Sequence, residues 1–226
     1  MSPGHRDILT IDELPLPARD VARRVKGLVL VDHNRPLSAW SAAPVLSIFD
    51  HHADRGQHLD ASPRIIEMTA SCSSLVALEV LKYKHHNWHG KHLASELADL
   101  VLSVIAIDSD AFRKGNEKDV RAARKMLPLS SWSGYKLRVV MAKLDKLMSR
   151  ARKDLQGLSV RDLLRRDWKG DLVESKAKDD ELAVHLGFAS IPVSLDEMMA
   201  RTEQNNTLAW AAIEAAWCDF ALALCV

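Results

Sequence analysis

Two short apolar runs in this chain each break off at an acid. "KGLVLVDHN" (Lys26–Asn34) is a compact leucine and valine stretch that stops at Asp32. "APVLSIFDHH" (Ala43–His52) repeats the arrangement and stops at Asp50, His51 and His52, with Asp54 two residues on. Runs this short and this rich in β-branched residues read as buried strands. Taking an unpaired polar group out of water costs on the order of 2–7 kcal/mol, so the acids mark where each strand leaves the interior. One reading of Asp50–Asp54 is a surface turn with every side chain in water. The other is a metal site.

The remaining pattern sets the context. "PRIIEMTA" (63–70) is a third candidate strand. "SCSSLVALEVLKYKHH" (71–86) opens with serines suited to capping and continues with Leu75, Leu78 and Leu81 at helical spacing. "HLASELADLVLSVIAID" (92–108) places Leu93, Leu97, Leu100, Val101, Val104 and Ile105 on one broad helical face and ends at Asp108. Strands followed by helices predict an α/β fold of βα units around a parallel sheet buried on both faces. Ligands collect outside the carboxyl ends of such strands, which is where Asp32 and the Asp50–His52 group fall.

Past Asp108 the character changes. "RKGNEKDVRAARK" (113–125) is a charged connector running into a helix. "YKLRVVMAKLDKLMSRARKDLQG" (135–157) reads as a basic amphipathic helix ending at Gly157, and "ELAVHLGFASIPVS" (181–194) as a strand before a proline. The expected organisation is a parallel-sheet first domain over 1–125 and a smaller mixed α/β domain over 126–226.

The 226 residues are 47% hydrophobic and 27% charged, enough for a sizeable core. A net charge of +1 sets up no field that recruits nucleic acid. Cys72, Cys218 and Cys225 form no CxxC pair, the N-terminal stretch lacks the apolar core of a signal peptide, and no apolar run approaches the ~18 residues of a membrane span. The expectation is a reduced, cytoplasmic protein without membrane or nucleic-acid partners.

"LVLVDHNRP" (Leu28–Pro36), "SIFDHHADRG" (Ser47–Gly56), "SVIAIDSDAF" (Ser103–Phe112) and "LLRRDWKGD" (Leu163–Asp171), in that order, resemble the motifs of the DHH phosphoesterase superfamily. The resemblance is to the branch with a DHHA2 second domain, which holds exopolyphosphatases, the prune proteins and manganese-dependent inorganic pyrophosphatases. It implies a metal-dependent phosphoanhydride hydrolase acting on inorganic polyphosphate or pyrophosphate with Mn²⁺ or Mg²⁺. By the resemblance, Asp32, His51 and Asp108 hold metal. His52 contacts substrate phosphate or acts as an acid, Asp50 orients its neighbours, and Lys169 binds phosphate.

Taken singly, Asp32 and Asp108 read equally well as caps of element ends, and His33 and Asn34 as residues shaping a turn. His85, His89 and His92 share helical spacing, but Gly90 interrupts them and no acid completes a site, so an exposed helix end is favoured. Cys72 reads as a small packing residue. The run Lys136–Lys153 reads as a solvated helix face. The superfamily's first motif, a histidine with a D-x-D pair, is not among the 31 residues before Asp32, and no basic phosphate clamp follows "IPVSLDE". That raises the alternative of a truncated, non-catalytic relative that binds phosphate compounds or a protein partner.

Overall fold

The structure is a computed structural model that describes residues 13–83, 93–158, 160–174, 183–194, 196–198 and 221–224. The chain divides into two compact units, Met1–Arg150 and Ala151–Val226.

In the first unit a short helix, α1 (Ala18–Ala22), leads to three strands: β1 (Leu28–Val31), β2 (Val45–Asp50) and β3 (Arg64–Ile66). They form one sheet in the order β1-β2-β3, with both pairings parallel. Val31 lies opposite Phe49, and Asp50 opposite Ile66, so the strands end close to one level. The ladder continues one step past each end. Asp32 N–H donates to Phe49 O at 2.9 Å, and Glu67 N–H to Asp50 O at 3.0 Å. Asp32 and the Asp50–His52 group therefore leave the sheet at its carboxyl edge.

Helices do not alternate with these strands as expected. Residues 32–44 carry only a 3₁₀ turn, Ser38–Trp40, and residues 51–63 no regular element, yet each segment is long enough for a parallel crossover of about a dozen residues. The helices follow as a run: α2 (Cys72–Tyr83), α3 (Ser95–Asp108), α4 (Glu117–Met126) and α5 (Leu137–Lys153). Nor is the sheet buried on both faces. Leu30, Val45 and Ile48 pack inward with Ala61, whereas Val29 and Leu46 are 58% and 50% exposed.

The helices share a core built from one stripe of each. Ala98, Leu102, Ile105 and Ala106 of α3 meet Ala122, Ala123 and Met126 of α4 and Ala77 of α2. Alanines at five of these positions bring the helix axes close, so that packing is dense without large side chains. Asn116 caps α4: its side chain accepts from Lys118 and Asp119 N–H, while the Asp119 carboxylate accepts from Asn116 N–H. Val140, Met141 and Leu144 of α5 complete the same core, which is why the first unit runs to Arg150 and not to the expected 125, a position inside α4.

The second unit contains α6 (Val160–Arg166) and a mixed three-stranded sheet. Its strands are β4 (Trp168–Glu174) and β5 (Ala183–Ala189), paired antiparallel, and β6 (Ala221–Leu224), parallel to β5. Leu164 of α6 is buried with Ala189 and Met198. Among the described residues no helix is long and apolar enough to cross a membrane.

Candidate metal centre

Asp32 is the first residue beyond β1 and takes a left-handed backbone, φ +68°, a region that aspartate tolerates better than most residues. Its carboxylate is 61% exposed. Residues 51 and 52 leave β2 beside it. The Nδ1 of His51 lies 2.9 Å from Thr69 O. A carbonyl oxygen only accepts, so Nδ1 carries the proton and donates. The other ring nitrogen, Nε2, then faces Asp32 Oδ1 at 3.1 Å. Two groups that both carry lone pairs do not hold that distance unaided. A proton or a cation must stand between them.

His52 repeats the logic. Its Nδ1 donates to Asp50 Oδ1 at 2.8 Å, which leaves its Nε2 with a lone pair. The two rings meet edge to face, centroids 4.5 Å apart. One ligand atom from each of Asp32, His51 and His52 lies within 4.8 Å of the other two. A carboxylate oxygen and two imidazole nitrogens make a donor set that suits a divalent ion of intermediate softness. Each imidazole is steered by a bond to its far nitrogen, as metal-bound histidines usually are.

Asp50 is fully buried and supplies that steering for His52, as Thr69 O does for His51. Its Oδ1 also accepts from His51 N–H at 2.8 Å and His52 N–H at 3.2 Å, and its Oδ2 from the Asn34 amide. Burial pushes the Asp50 carboxyl up, but the bonds from His52 and Asn34 outweigh it and hold the group below its usual range. Asn34 is itself 4% exposed. It donates to Ala53 O at 3.0 Å and accepts from Arg55 N–H at 3.1 Å. Asn34 thus ties the segment after β1 to the segment after β2, a larger part than shaping its own turn.

Asp108, at the end of α3, approaches from the helical side and is bonded to Ser71 Oγ at 2.7 Å. It is not one of the three residues grouped within 4.8 Å. Burial pushes the Cys72 thiol up to about 11, and the charges of Asp32, Asp50 and Asp108 add to that rise. Cys72 packs beneath the site, donating to Phe49 O at 3.2 Å. Asp54 turns elsewhere: it forms a two-pronged pair with Arg64, at 2.9 and 2.5 Å, which holds its carboxyl below the usual range. Lys169 lies on β4 in the second unit, opposite Phe188. His85, His89 and His92 fall outside the described residues.

Three contributors had no metal-type signature in the sequence. Thr69 acts through its carbonyl, which no side-chain motif reports. Ser71 reads as one more capping serine. Asp119 belongs to the box N-x-x-D, Asn116–Asp119, whose spacing does announce a helix start.

Over 177 residues the chain is 30% identical to a Schizosaccharomyces pombe (strain 972 / ATCC 24843) protein named "Putative exopolyphosphatase". The match covers 72% of this chain and 43% of the yeast protein, so the chain spans less than half of that relative's length. No family model matches the chain.

Proposed function

We propose that the chain is an exopolyphosphatase-like hydrolase, with Asp32, His51 and His52 holding Mn²⁺ or Mg²⁺ and Asp108 completing the ligand shell. The carrying observation is the pair of imidazoles whose Nδ1 atoms face Thr69 O and Asp50, with His51 Nε2 at 3.1 Å from Asp32 Oδ1 and one ligand atom from each of Asp32, His51 and His52 within 4.8 Å of the other two. The likeness to the yeast protein supports the same reading, with inorganic polyphosphate or pyrophosphate as substrate.

A bound divalent ion would supply charge stabilisation on phosphoryl oxygens and a nucleophilic water at neutral pH. The chain's own groups do the rest. Asp50 fixes the His52 ring through Nδ1, so Nε2 is the one ring nitrogen left for the ion or, where Asp32, His51 and Asp108 hold the ion instead, for a phosphate oxygen. Thr69 O and Asp32 fix the His51 ring from both sides. Asp32, at the open rim, has a largely exposed carboxylate and is a natural first contact for an incoming cation. Lys169 enters the reading on its motif alone, as a phosphate-binding cation.

The test is phosphate release from polyphosphate and from pyrophosphate with Mn²⁺, using Asp32→Asn and His51→Ala as controls for contaminating phosphatase. Release by the unaltered chain that both substitutions abolish supports the reading. Tight Mn²⁺ binding with no turnover of either compound would favour the phosphate-binding alternative, and the absence of Mn²⁺ binding would remove the metal centre.

A further inference from the structure

Asp119 has no direct place in the metal centre, yet it is fully buried and is bonded to the segment that shapes it. Its Oδ2 accepts from Ala70 N–H at 3.0 Å and from Asn116 N–H at 2.9 Å. Its Oδ1 accepts from Ser74 Oγ at 2.7 Å and from Ser71 N–H at 3.3 Å. Four donors fill one carboxylate. Two of them come from residues 70 and 71, just before α2, and a third from its first turn. The fourth is the capping residue of α4. The negative group is therefore set at the amino ends of two helices at once, where the helix dipoles favour it.

The segment that Asp119 grips carries the two contacts that orient candidate ligands. Thr69, one residue before Ala70, presents the carbonyl that accepts from His51 Nδ1. Ser71 presents the hydroxyl bonded to Asp108 at 2.7 Å. Asn116, whose backbone N–H donates to Asp119, itself donates from its side chain to Met68 O at 2.6 Å and closes the segment from its other end. Residues 68–74 are thus clamped to α4 at both ends, and the clamp sets where Thr69 O and Ser71 Oγ point.

We infer that Asp119 is a positioning residue for the candidate metal centre: through residues 69–71 it sets the tautomer and orientation of His51 and the placement of Asp108. The inference rests on the reading of His51 and Asp108 as ligands, but its test need not. In the ¹⁵N-labelled 226-residue chain, long-range ¹H–¹⁵N spectra report which ring nitrogen of each histidine carries the proton. The unaltered chain is expected to hold His51 with the proton on Nδ1. In Asp119→Ala, His51 should shift to a mixture of both tautomers, while His52, held by Asp50, stays fixed as an internal control. Mn²⁺ affinity should fall by roughly 10–100-fold, the usual effect of losing a group that orients a metal ligand.

A folded Asp119→Ala chain with His51 still held on Nδ1 overturns the inference. Should that variant fail to fold, Asp119→Asn and Ser74→Ala decide. The first turns one acceptor oxygen into a donor facing two N–H or O–H groups, and the second removes one of the four donors. Both should loosen His51 in part, and an unchanged His51 in both overturns the inference. Should the unaltered chain bind no Mn²⁺, the metal reading fails, while the tautomer of His51 still judges Asp119.

Discussion

His51 and Asp32 face each other across 3.1 Å, imidazole Nε2 to carboxylate Oδ1, while the opposite ring nitrogen is already bonded to Thr69 O. The contact closes the carboxyl edge of the sheet between the ends of β1 and β2. Asp32→Asn tests what the contact is for. Asparagine keeps the shape and tolerates the left-handed backbone at this position. Because the side chain is largely exposed, folding stability should stay within about 0.5 kcal/mol of the original. Mn²⁺ affinity, followed by titration calorimetry, should fall at least as far as the roughly 10–100-fold that losing an orienting partner costs. Unchanged affinity would mean that Asp32 is only an end residue of β1.

Asn34→Ala should behave in the opposite way. This side chain is buried and bonded to Asp50, Ala53 O and Arg55 N–H, so its removal leaves interior polar groups without partners. A loss of about 1–3 kcal/mol is expected in urea unfolding. A stability change below about 0.5 kcal/mol would show that water replaces the amide without cost.

How far the sequence foretold this arrangement depends on the kind of interaction. β1 and β2 are strands, parallel and adjacent, where the apolar runs put them, because a short run of β-branched residues and leucine is a local signal. The span of α3 follows from its leucines for the same reason. The sheet's exposed face was not legible. Val29 and Leu46 look the same in sequence whether or not anything covers them. The extent of the first unit was missed because Val140, Met141 and Leu144 sit among lysines and arginines and read as a solvated helix. At the site, the clustered side chains Asp50, His51 and His52 stood out. Asn34, Thr69 and Asp119 did not, since their parts depend on backbone groups and on contacts as many as 49 residues apart.

Cys72 should be chemically quiet in the native state. With its thiol pushed up to about 11 by burial and by neighbouring carboxylates, the thiolate fraction at pH 8 is tiny. Against an ordinary thiol near 8.5, alkylation by iodoacetamide should be slower by roughly 200-fold from protonation alone, with burial slowing it further. Mass spectrometry resolves Cys72 from Cys218 and Cys225. Native labelling of Cys72 as fast as in urea would show that the floor of the site is open.

The last prediction separates function from stability at Asp108. This exposed carboxylate ends α3, where a negative charge opposes the helix dipole, and the last turn of that helix holds no basic residue. Its side chain accepts from Ser71, the residue next to Cys72. Apart from its bond to Ser71, an acid placed there works against folding. In Asp108→Asn the metal-free protein should therefore be more stable, by about 0.3–1 kcal/mol for relief of the helix end. Asparagine keeps an oxygen that can still accept from Ser71, so the local bond is not the variable. If Asp108 contributes to cation binding, Mn²⁺ should raise the melting temperature of the unaltered chain more than that of the variant, since a ligand stabilises in proportion to the logarithm of its concentration over its dissociation constant. The two melting curves should then cross as Mn²⁺ is added: the variant ahead without metal, the original ahead with it. Parallel curves, with the same Mn²⁺ response in both, would remove Asp108 from the centre and leave Asp32, His51 and His52 as the whole protein contribution.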